Sequence, residues 1–563
     1  MAKNHNTHQH HEKNHNCCDH KGEMRHGASL KDGNKAHAQD HKKWSRRQFL
    51  SAGLTTLGGS LFLGNTTVKA LASSPLLAAL DSAETDRILV LIRLGGGNDG
   101  LNTIIPLNDY STYLGHRPDI AVPENEIITL DADGAFGMPN TMSDIEPLWL
   151  DGKMKVVHNV SYSDQNLSHF RSSDIWASAS ESDELLRTGW IGRFFEQEYP
   201  SYLNAPPTVP PAIQIGTQSN LAFRGENSNM SLVINDPDEF YQIAQTGQLY
   251  NTESLPACRY GSELGFMRTV ANNSFRYSET IKQAYDASTN DIVYPDENLA
   301  EELSIVARLI KGNLGTKVYM VTIGGFDTHS DQIARHATLM NRLCGSVKAF
   351  YDDLAATNQS QNILTLTFSE FGRRVYQNGS LGTDHGEGAP MLLFGDELGG
   401  NGFIGEAPDI SLEALVGPGN IDYDKGGIDF KSIYATLLQD WLCMDPLVVN
   451  AVLGNDFSRV ENMVNACQPN IGSNETAVLL GHQPNPAIDG AYLIKYAVLI
   501  RGTVRITIQN AAGQNVATIL NDFREAGSFN TSFKPSDYAL PMGHYIYKIE
   551  TNGKAYSRPI RAV

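Results

Sequence analysis

Several apolar runs in the chain each end in a cluster of polar residues and glycine. Three of these runs cover residues 87–94, 317–323 and 363–368. A continuous run rich in Val, Ile and Leu is typical of a strand that is covered on both faces of a sheet. The runs therefore predict buried strands of an α/β domain.

Between the second and third runs, residues 331–356 have the periodicity of an amphipathic helix. The apolar positions are three or four residues apart: Leu339, Leu343, Val347, Phe350 and Leu354. A strand, a helix and a strand joined by a right-handed crossover place the two strands parallel, with their carboxyl ends at one edge of the sheet. Ligands bind at that edge in parallel α/β sheets, so we expect the chemistry there.

The pattern changes along the second half of the chain. Residues 155–160 and 390–394 predict further strands, and residues 430–442 predict a helix that closes the α/β domain near residue 460. Residues 466–488 are rich in Pro, Asn and Gly, which is typical of a linker. Short alternating stretches follow at 503–508, 516–520, 529–533 and 544–549. We predict an α/β domain over 73–465, a linker over 466–488 and a small β-sandwich over 489–563.

The charge distribution limits the possible partners. The 563 residues contain 44 Lys and Arg and 63 Asp and Glu, a net charge of −19. The first 72 residues hold eleven of the basic and five of the acidic side chains, which leaves a net −25 for residues 73–563. Such a surface repels phosphate backbones, so we expect no nucleic-acid partner. Acidic groups could still bind divalent metal ions.

The N-terminus explains this asymmetry. Residues 45–72 contain Arg46-Arg47, an uncharged stretch and Ala70-Leu71-Ala72, and they resemble a twin-arginine export signal. The apolar stretch is shorter than the roughly 20 residues that span a bilayer. We therefore expect cleavage rather than anchoring, export machinery as a partner and no transmembrane span in the mature chain. The protein would then be periplasmic, cell-surface or secreted.

A His-rich leader, residues 1–44, precedes the signal and carries nine of the 17 histidines. Clustered imidazoles can bind transition metals, but their spacing here fits no defined site. We predict a disordered extension.

The strand-end clusters supply carboxylates and imidazoles, namely Asp99, Asp327, His329, Glu370, Asp384 and His385. Mixed carboxylate and imidazole ligands suit a divalent ion such as Zn²⁺, whereas an all-oxygen set suits Mg²⁺ or Ca²⁺, and Mn²⁺ also remains open. Each motif alone is weak, because an Asp-x-His in a loop is more often a turn or a helix cap than a ligand pair. Their joint position after apolar strands indicates a metal site.

Six ordered segments carry a resemblance to the domain-of-unknown-function 1501 family: residues 93–102, 167–170, 189–193, 324–329, 369–373 and 383–386. That family is bacterial, is commonly exported by the twin-arginine pathway and is related to the alkaline phosphatase and sulfatase superfamily. The resemblance covers about residues 86–460. It implies an alkaline-phosphatase-like, doubly wound α/β sheet with helices on both faces and a metal centre at the strand ends.

The resemblance also implies ligand roles. An early Asp of the superfamily binds one metal and is matched by Asp99, while a later Asp and two His bind the other and are matched by Asp327, His329 and His385. The superfamily's Asp-His pair falls on Glu370-Phe371, and Phe cannot bind a metal. Either Asp384 compensates, or the second site is weak, or one metal binds. Related sequences tend to have His at the position of Glu387, which is a second departure.

Two-step ester hydrolysis in the superfamily uses a Ser or Thr nucleophile. Ser168, with His169 adjacent, is the candidate here because it follows the predicted strand 155–160. The alternative is that Ser168 caps a helix. Arg171 and Arg373 could bind an anionic substrate, although surface salt bridges are the commoner fate of a single arginine.

The C-terminal segment resembles the sorting domains of type IX secretion, which are Ig-like folds. The resemblance rests on residues 502–520, on Gly513, Gly527 and Gly543, and on residues 557–560. It implies delivery to the cell surface or outside. A twin-arginine signal is an unusual companion for such a tail, so a periplasmic or adhesive role stays open.

These observations lead to one functional expectation and two alternatives. We expect an exported metal-dependent hydrolase that acts on phosphate or sulfate esters of small molecules or polysaccharides. The first alternative is a non-catalytic secreted or surface protein, binding carbohydrate or serving as a scaffold, whose metal site has degenerated. The second is an intact structural metal without catalysis.

Overall fold

The computed structural model describes most of the chain from residue 86 onwards. The described residues are 62–63, 66–67, 86–199, 202, 206–226, 228–245, 250, 259–444, 446–465, 476–488, 491–498, 500–510, 514–541 and 543–562. The predicted leader 1–44 lies outside them. So does the predicted signal 45–72, except for a short antiparallel pair formed by Phe62–Leu63 and Thr66–Thr67.

A central sheet of nine strands forms the α/β domain. Its strands in chain order are β1 (Ile88–Gly95), β2 (Met154–Ser161), β3 (Ala212–Ile215), β4 (Ser231–Ile234), β5 (Val318–Gly324), β6 (Ile363–Ser369), β7 (Ala389–Phe394), β8 (Gly402–Ile404) and β9 (Ile428–Asp429). They lie in the order β8-β2-β7-β6-β1-β5-β3-β4, with β9 also paired to β2. Of these nine strands, β7 alone is antiparallel to its neighbours.

The three strands predicted from apolar runs are β1, β5 and β6, and they lie side by side in parallel. Gly324 of β5 pairs with Gly95 of β1, and Ser369 of β6 pairs with Leu94. The three strands therefore end level with one another. The predicted meeting of their carboxyl ends at one edge is confirmed.

Ten α-helices are described. They are α1 (Tyr110–His116), α2 (Glu146–Leu150), α3 (His169–Ser178), α4 (Trp190–Glu198), α5 (Pro237–Gln245), α6 (Arg259–Asp286), α7 (Asn298–Lys311), α8 (Gln332–Ala356), α9 (Phe430–Thr436) and α10 (Pro446–Leu453). The predicted helix over 331–356 is α8. The helix predicted over 430–442 begins as α9, with the Asp429 side chain accepting a hydrogen bond from Lys431 N, and continues as a π-helical turn over Leu437–Trp441.

Helices cover both faces of the sheet. On one face, Leu89 and Leu91 of β1 share a core cluster with α3, α4 and α9, where the ring centroids of Trp190 and Tyr434 are 4.1 Å apart. On the other face, the hydroxyl of Tyr351 on α8 donates to Thr365 Oγ1 of β6 at 3.0 Å. The predicted α/β class with helices on both faces is confirmed.

Residues Asp236–Lys282 belong to a separate compact unit. The apolar runs suggest one domain over 73–465 and do not predict this unit. Within this unit Asn272 makes two hydrogen bonds to the backbone of Tyr250, at 2.8 and 3.0 Å. Lys282 and Asp238 form an ion pair at 3.1 Å.

Across the described residues, no helix has an apolar stretch long enough to cross a membrane.

The C-terminal region consists of two antiparallel sheets. Its strands are β10 (Ala477–Ile488), β11 (Ala491–Val498), β12 (Gly502–Gln509), β13 (Asn515–Arg524), β14 (Gly527–Phe533), β15 (Gly543–Thr551) and β16 (Lys554–Ala562). They pair as β10-β11-β14 and as β13-β12-β15-β16. Both sheets contribute to one buried cluster that includes Tyr492 and Tyr547. A small β-sheet region at the C-terminus, as predicted, is confirmed.

The linker predicted over 466–488 is wrong in its second half, because residues 477–488 form β10. Pro484 and Pro486 suggest a linker, since proline cannot donate to a ladder. The pairing of β10 with β11 is interrupted between Gln483 and Ile488. The prolines lie in that irregular stretch, so a strand can contain them.

Candidate metal centre

Loops after β1, β5 and β6 meet at the carboxyl edge of the sheet. Gly96, after β1, has φ +124°, and a Cβ atom there would lie 2.3 Å from the backbone nitrogen of Asp327. Only glycine permits this approach. A short antiparallel pair, Gly372–Arg373 with His385–Gly386, brings His385 to the same place.

Asp327 lies at the middle of a group of three histidines. Its Oδ1 is 3.1 Å from His329 Nε2 and 3.2 Å from His385 Nε2, and its Oδ2 is 3.5 Å from His169 Nε2. The Nε2 atoms of His329 and His385 are 2.9 Å apart. His169, Asp327 and His385 offer ligand atoms that all lie within 4.8 Å of one another.

Each of the three imidazoles is held from behind through Nδ1. The contacts are His169 Nδ1 to Glu370 Oε1 at 3.1 Å, His329 Nδ1 to Asp384 Oδ1 at 3.3 Å, and His385 Nδ1 to the Leu167 carbonyl oxygen at 2.9 Å. An Nδ1–H that donates to an acceptor leaves the lone pair on Nε2, which is how metal-binding histidines are oriented in proteins. All three Nε2 atoms are therefore directed towards Asp327.

The electrostatics favour the metal-binding forms of Asp327 and His385. Burial alone would raise the pKa of Asp327, but the hydrogen bond and charge of Arg373, together with His385 and His329, lower it to about 2. Burial lowers the pKa of His385 and so favours the neutral imidazole. A carboxylate beside a neutral imidazole is the protonation state that a metal ion needs.

Three nitrogen donors and one carboxylate match the ligand types of zinc. The residues therefore fit a divalent ion of this class, with His169, Asp327 and His385 as the set that already converges and His329 beside it. The structure places Asp327, His329, Asp384 and His385 together at one edge. The prediction for His169, as a catalytic neighbour of Ser168, missed its position in this group. The available signal was that His169, like His329, follows a strand that ends at this edge.

Glu370 and Asp384, predicted as ligands, lie behind the histidines. Glu370 is buried, and its Oε1 accepts from Gly96 N at 2.8 Å as well as facing His169. Its Oε2 is buried without a hydrogen-bond partner among the described residues. The hydrogen bonds of Asn378 and His329 and the charge of Arg374 outweigh burial and lower the pKa of Asp384. Both carboxylates orient imidazoles.

Asp99 is not part of this group, although the strand-end clusters predict it as one of the ligands. Its two carboxylate oxygens each lie 2.8 Å from Nη1 of Arg117, and both side chains are fully buried. Gln332 Nε2 also donates to Asp99 Oδ2. An arginine thus neutralises the carboxylate that the resemblance assigns to a metal.

The two arginines predicted to bind substrate are engaged elsewhere. Arg373 is 2% exposed and donates to four backbone carbonyl groups and to Asp327 Oδ1, the last at 2.7 Å. Arg171 donates to the carbonyl oxygens of Glu181, Ser182 and Glu184. Both side chains hold loops in place.

Ser168 occupies the N-cap position of α3, but its side chain makes no capping hydrogen bond. The residue is exposed. Its neighbours on both sides belong to the centre, since the Leu167 carbonyl accepts from His385 and His169 faces Asp327. Phe371 is buried against the centre, with its ring centroid 4.4 Å from that of His385 and 4.9 Å from that of His169.

Several solved structures are similar to this chain. One is a protein in the alkaline phosphatase superfamily from Vibrio parahaemolyticus, with 10% identity, a TM-score of 0.27, and coverage of 74% of this chain and 76% of that one. Another is the PsFucS1 sulfatase from Pseudoalteromonas sp., with 10% identity, a TM-score of 0.28, and coverage of 82% and 87%. An alkaline phosphatase from the Antarctic bacterium TAB5 has 9% identity, a TM-score of 0.24, and coverage of 56% and 94%.

No curated protein matches the chain in sequence. A family profile does match it, over residues 156–442, which is just over half of the 563 residues. The matched range includes His169, Asp327, His329 and His385. The chain belongs to the family described as Protein of unknown function (DUF1501).

Proposed function

We propose that the protein is an exported metal-dependent hydrolase of phosphate or sulfate esters. The observation that carries the proposal is the arrangement of His169, His329 and His385. Each has Nδ1 at an acceptor and Nε2 directed towards Asp327. Imidazoles that are oriented in this way around a carboxylate are typical of a metal centre.

The ion would be held by His169, Asp327 and His385, with His329 as a further donor. We propose Zn²⁺ because three of the four donors are imidazole nitrogens, and Mg²⁺, Ca²⁺ and Mn²⁺ are the competitors to be tested. A bound divalent ion polarises a phosphoryl or sulfuryl oxygen and lowers the pKa of a bound hydroxyl group.

The formal charges favour an anionic substrate. Asp327, Glu370 and Asp384 are acidic, while Arg373 and Arg374 are basic, so with neutral imidazoles these groups carry one negative charge. A divalent ion makes the sum one positive charge. The loaded centre would therefore attract a phosphate or sulfate ester.

Ser168 is the proposed nucleophile. Its exposed hydroxyl has no capping bond and lies between two residues that contact the centre. In the first step, Ser168 Oγ would form a bond to phosphorus or sulfur and lose its proton to solvent water, while the alcohol oxygen leaves and takes up a proton from water. Water would then cleave the seryl ester and regenerate the hydroxyl.

The proposed location is outside the cytoplasm. It rests on the twin-arginine signal predicted over 45–72 and on the resemblance of residues 489–563 to type IX sorting domains. We accordingly propose the export machinery as a partner and small-molecule or polysaccharide esters as substrates.

The test compares the wild-type full chain with Asp327→Asn. Any metal bound by the nine histidines of the leader is the same in both proteins, so the difference in bound metal measures the centre alone. We expect one equivalent more Zn²⁺ in the wild type, and turnover of an aryl phosphate or aryl sulfate that Asp327→Asn and Ser168→Ala both lose. Equal metal content and no turnover would refute the proposal.

A second candidate function is a non-catalytic surface or scaffold protein. It is favoured by the contact of Arg373 Nη2 with Asp327 Oδ1 at 2.7 Å, because this guanidinium competes with an ion for the same oxygen. In that case Asp327 and the histidines form a hydrogen-bonded network. For a scaffold, Asp327→Asn would lower the free energy of unfolding to a similar extent with or without a chelator. For the hydrolase, the effect of Asp327→Asn would be smaller with a chelator, because the chelator already removes the stabilising metal from the wild type.

A further inference from the structure

A fully buried glutamine connects the two loops that carry the proposed metal ligands. We infer that Gln332 is a positioning residue of the metal centre, tying the loop over Asp327–His329 and the loop over Thr383–His385 to the buried pair of Asp99 and Arg117. The inference rests on the proposed metal site. It assigns Asp99 the role of anchoring Gln332, instead of binding the metal itself.

The amide of Gln332 makes hydrogen bonds in two directions. Its Oε1 accepts from Thr328 Oγ1 at 3.1 Å and from Thr383 Oγ1 at 2.6 Å. Its Nε2 donates to Asp99 Oδ2. Thr328 stands between Asp327 and His329 in sequence, and Thr383 directly precedes Asp384. One side chain therefore holds both ligand-bearing segments at a single point.

The anchor behind Gln332 is rigid. Arg117 contacts both oxygens of Asp99 and also donates to the carbonyl oxygens of Val375 at 2.7 Å and Arg374 at 2.8 Å. Gln332, Asp99, Arg117 and both threonines are all fully buried. A buried polar network that is fully hydrogen-bonded fixes its members in one arrangement.

The chemistry of the position requires glutamine. Burial would raise the pKa of Asp99, but the charges of Arg117 and His336 and the hydrogen bonds of Arg117 and Gln332 lower it, so its carboxylate needs donors. The two threonine hydroxyls need an acceptor. A glutamine amide supplies both, whereas a glutamate would place a second carboxylate against Asp99 and a methionine would supply neither.

Two further contacts hold the two loops close together. The backbone nitrogen of Thr383 donates to the Thr328 carbonyl oxygen at 3.2 Å. At Gly382 a Cβ atom would lie 2.3 Å from backbone atoms of Thr328 and His329. The hydroxyl bonds to Gln332 set the angle between the loops, and hence the separation of Asp327 and His329 from His385.

The test measures the Zn²⁺ Kd of the full chain by competition with a chromophoric chelator, after subtraction of the leader's binding in Asp327→Asn. Gln332→Met should raise the Kd about tenfold or more, the usual effect of losing a group that orients metal ligands. Gln214→Met is the matched control. Gln214 lies on β3, is also buried, accepts from Asn220 N at 2.8 Å and donates to Ser231 Oγ at 2.5 Å, and neither partner belongs to the two loops. It should lose stability but keep the wild-type Kd.

A wild-type Kd in Gln332→Met, or an equal rise in Gln214→Met, overturns the inference while leaving the metal site intact. A wild type that binds no more Zn²⁺ than Asp327→Asn overturns both. If Gln332→Met does not fold, Thr383→Val and Thr383→Ser replace it. Val removes the hydroxyl and should raise the Kd, whereas Ser keeps it and should restore the wild-type value. The same Kd in both variants overturns the inference.

Discussion

The Nε2 atoms of His329 and His385 lie 2.9 Å apart. His385 Nδ1 donates to the Leu167 carbonyl oxygen, and His329 Nδ1 faces the carboxylate of Asp384. With both Nδ1 atoms protonated, two neutral rings would direct lone pairs at each other across this distance, which is repulsive. A cation between the two nitrogens would relieve this repulsion.

We predict that a proton lies between these two nitrogens in the metal-free protein and that Zn²⁺ binding displaces it. Calorimetric titration at pH 7 in two buffers of different ionisation enthalpy should show release of about one proton per ion. Asp327→Asn, titrated in the same way, removes the contribution of the leader histidines. A heat of binding that is independent of the buffer after this subtraction would contradict the shared proton.

Asp384 should affect metal affinity without binding the ion. Its Oδ1 holds His329 Nδ1 at 3.3 Å, and an amide there is a weaker acceptor than a carboxylate. Asp384→Asn is expected to raise the Zn²⁺ Kd about tenfold. The matched control is Asp119→Asn, an exposed carboxylate that accepts from Gln377 Nε2 at 2.7 Å. Equal affinities in the two variants would exclude an orienting role for Asp384.

The buried ion pair of Asp99 and Arg117 should contribute more to the free energy of unfolding than an exposed ion pair does. Arg117→Met leaves an uncompensated buried carboxylate and is expected to cost about 3–5 kcal/mol in the free energy of unfolding. Lys348→Met breaks a partly exposed ion pair with Asp352 within α8 and should cost no more than about 0.5 kcal/mol. Urea unfolding followed by tryptophan fluorescence measures both. A similar small cost for the two variants would show that Asp99 does not depend on Arg117.

The sequence predicts the location of the candidate site because parallel strands impose it. The strands β1, β5 and β6 end level with one another, so the residues that directly follow them lie at one edge of the sheet. Motifs that are more than two hundred positions apart in sequence therefore meet there. Spacing does not reveal which of these residues face one another. Asp99 and Asp327 both follow strands, yet Asp99 faces Arg117, which lies at the end of the short helix α1 with no distinctive pattern around it.

Arg373 illustrates a second limit. An arginine beside a predicted metal site suggests substrate binding, but the carbonyl groups of the surrounding loops also need donors. Arg373 satisfies those of Gly96, Gly97, Phe326 and Thr383. Backbone acceptors of this kind have no sequence signal. The same is true of the Leu167 carbonyl, which fixes the ring of His385.

His158 should make the protein sensitive to mild acid for a reason unrelated to metal. It lies in β2 with its ring centroid 4.9 Å from that of Phe136 and 5.0 Å from that of Phe403, and burial lowers its pKa from 6.5 to about 4. Between these two values the unfolded chain binds a proton that the folded protein does not. The stabilisation is therefore complete above pH 6.5 and is lost as the pH falls towards 4, by roughly 3 kcal/mol in total.

His158→Phe keeps an aromatic ring between Phe136 and Phe403 and removes this titration. The variant should lose less unfolding free energy than the wild type between pH 7.5 and pH 5, as measured by urea unfolding at each pH. Part of the acid sensitivity should remain, because burial also lowers the pKa of His336 to about 4. Parallel pH profiles for the two proteins would show that His158 is not held as a neutral, buried imidazole.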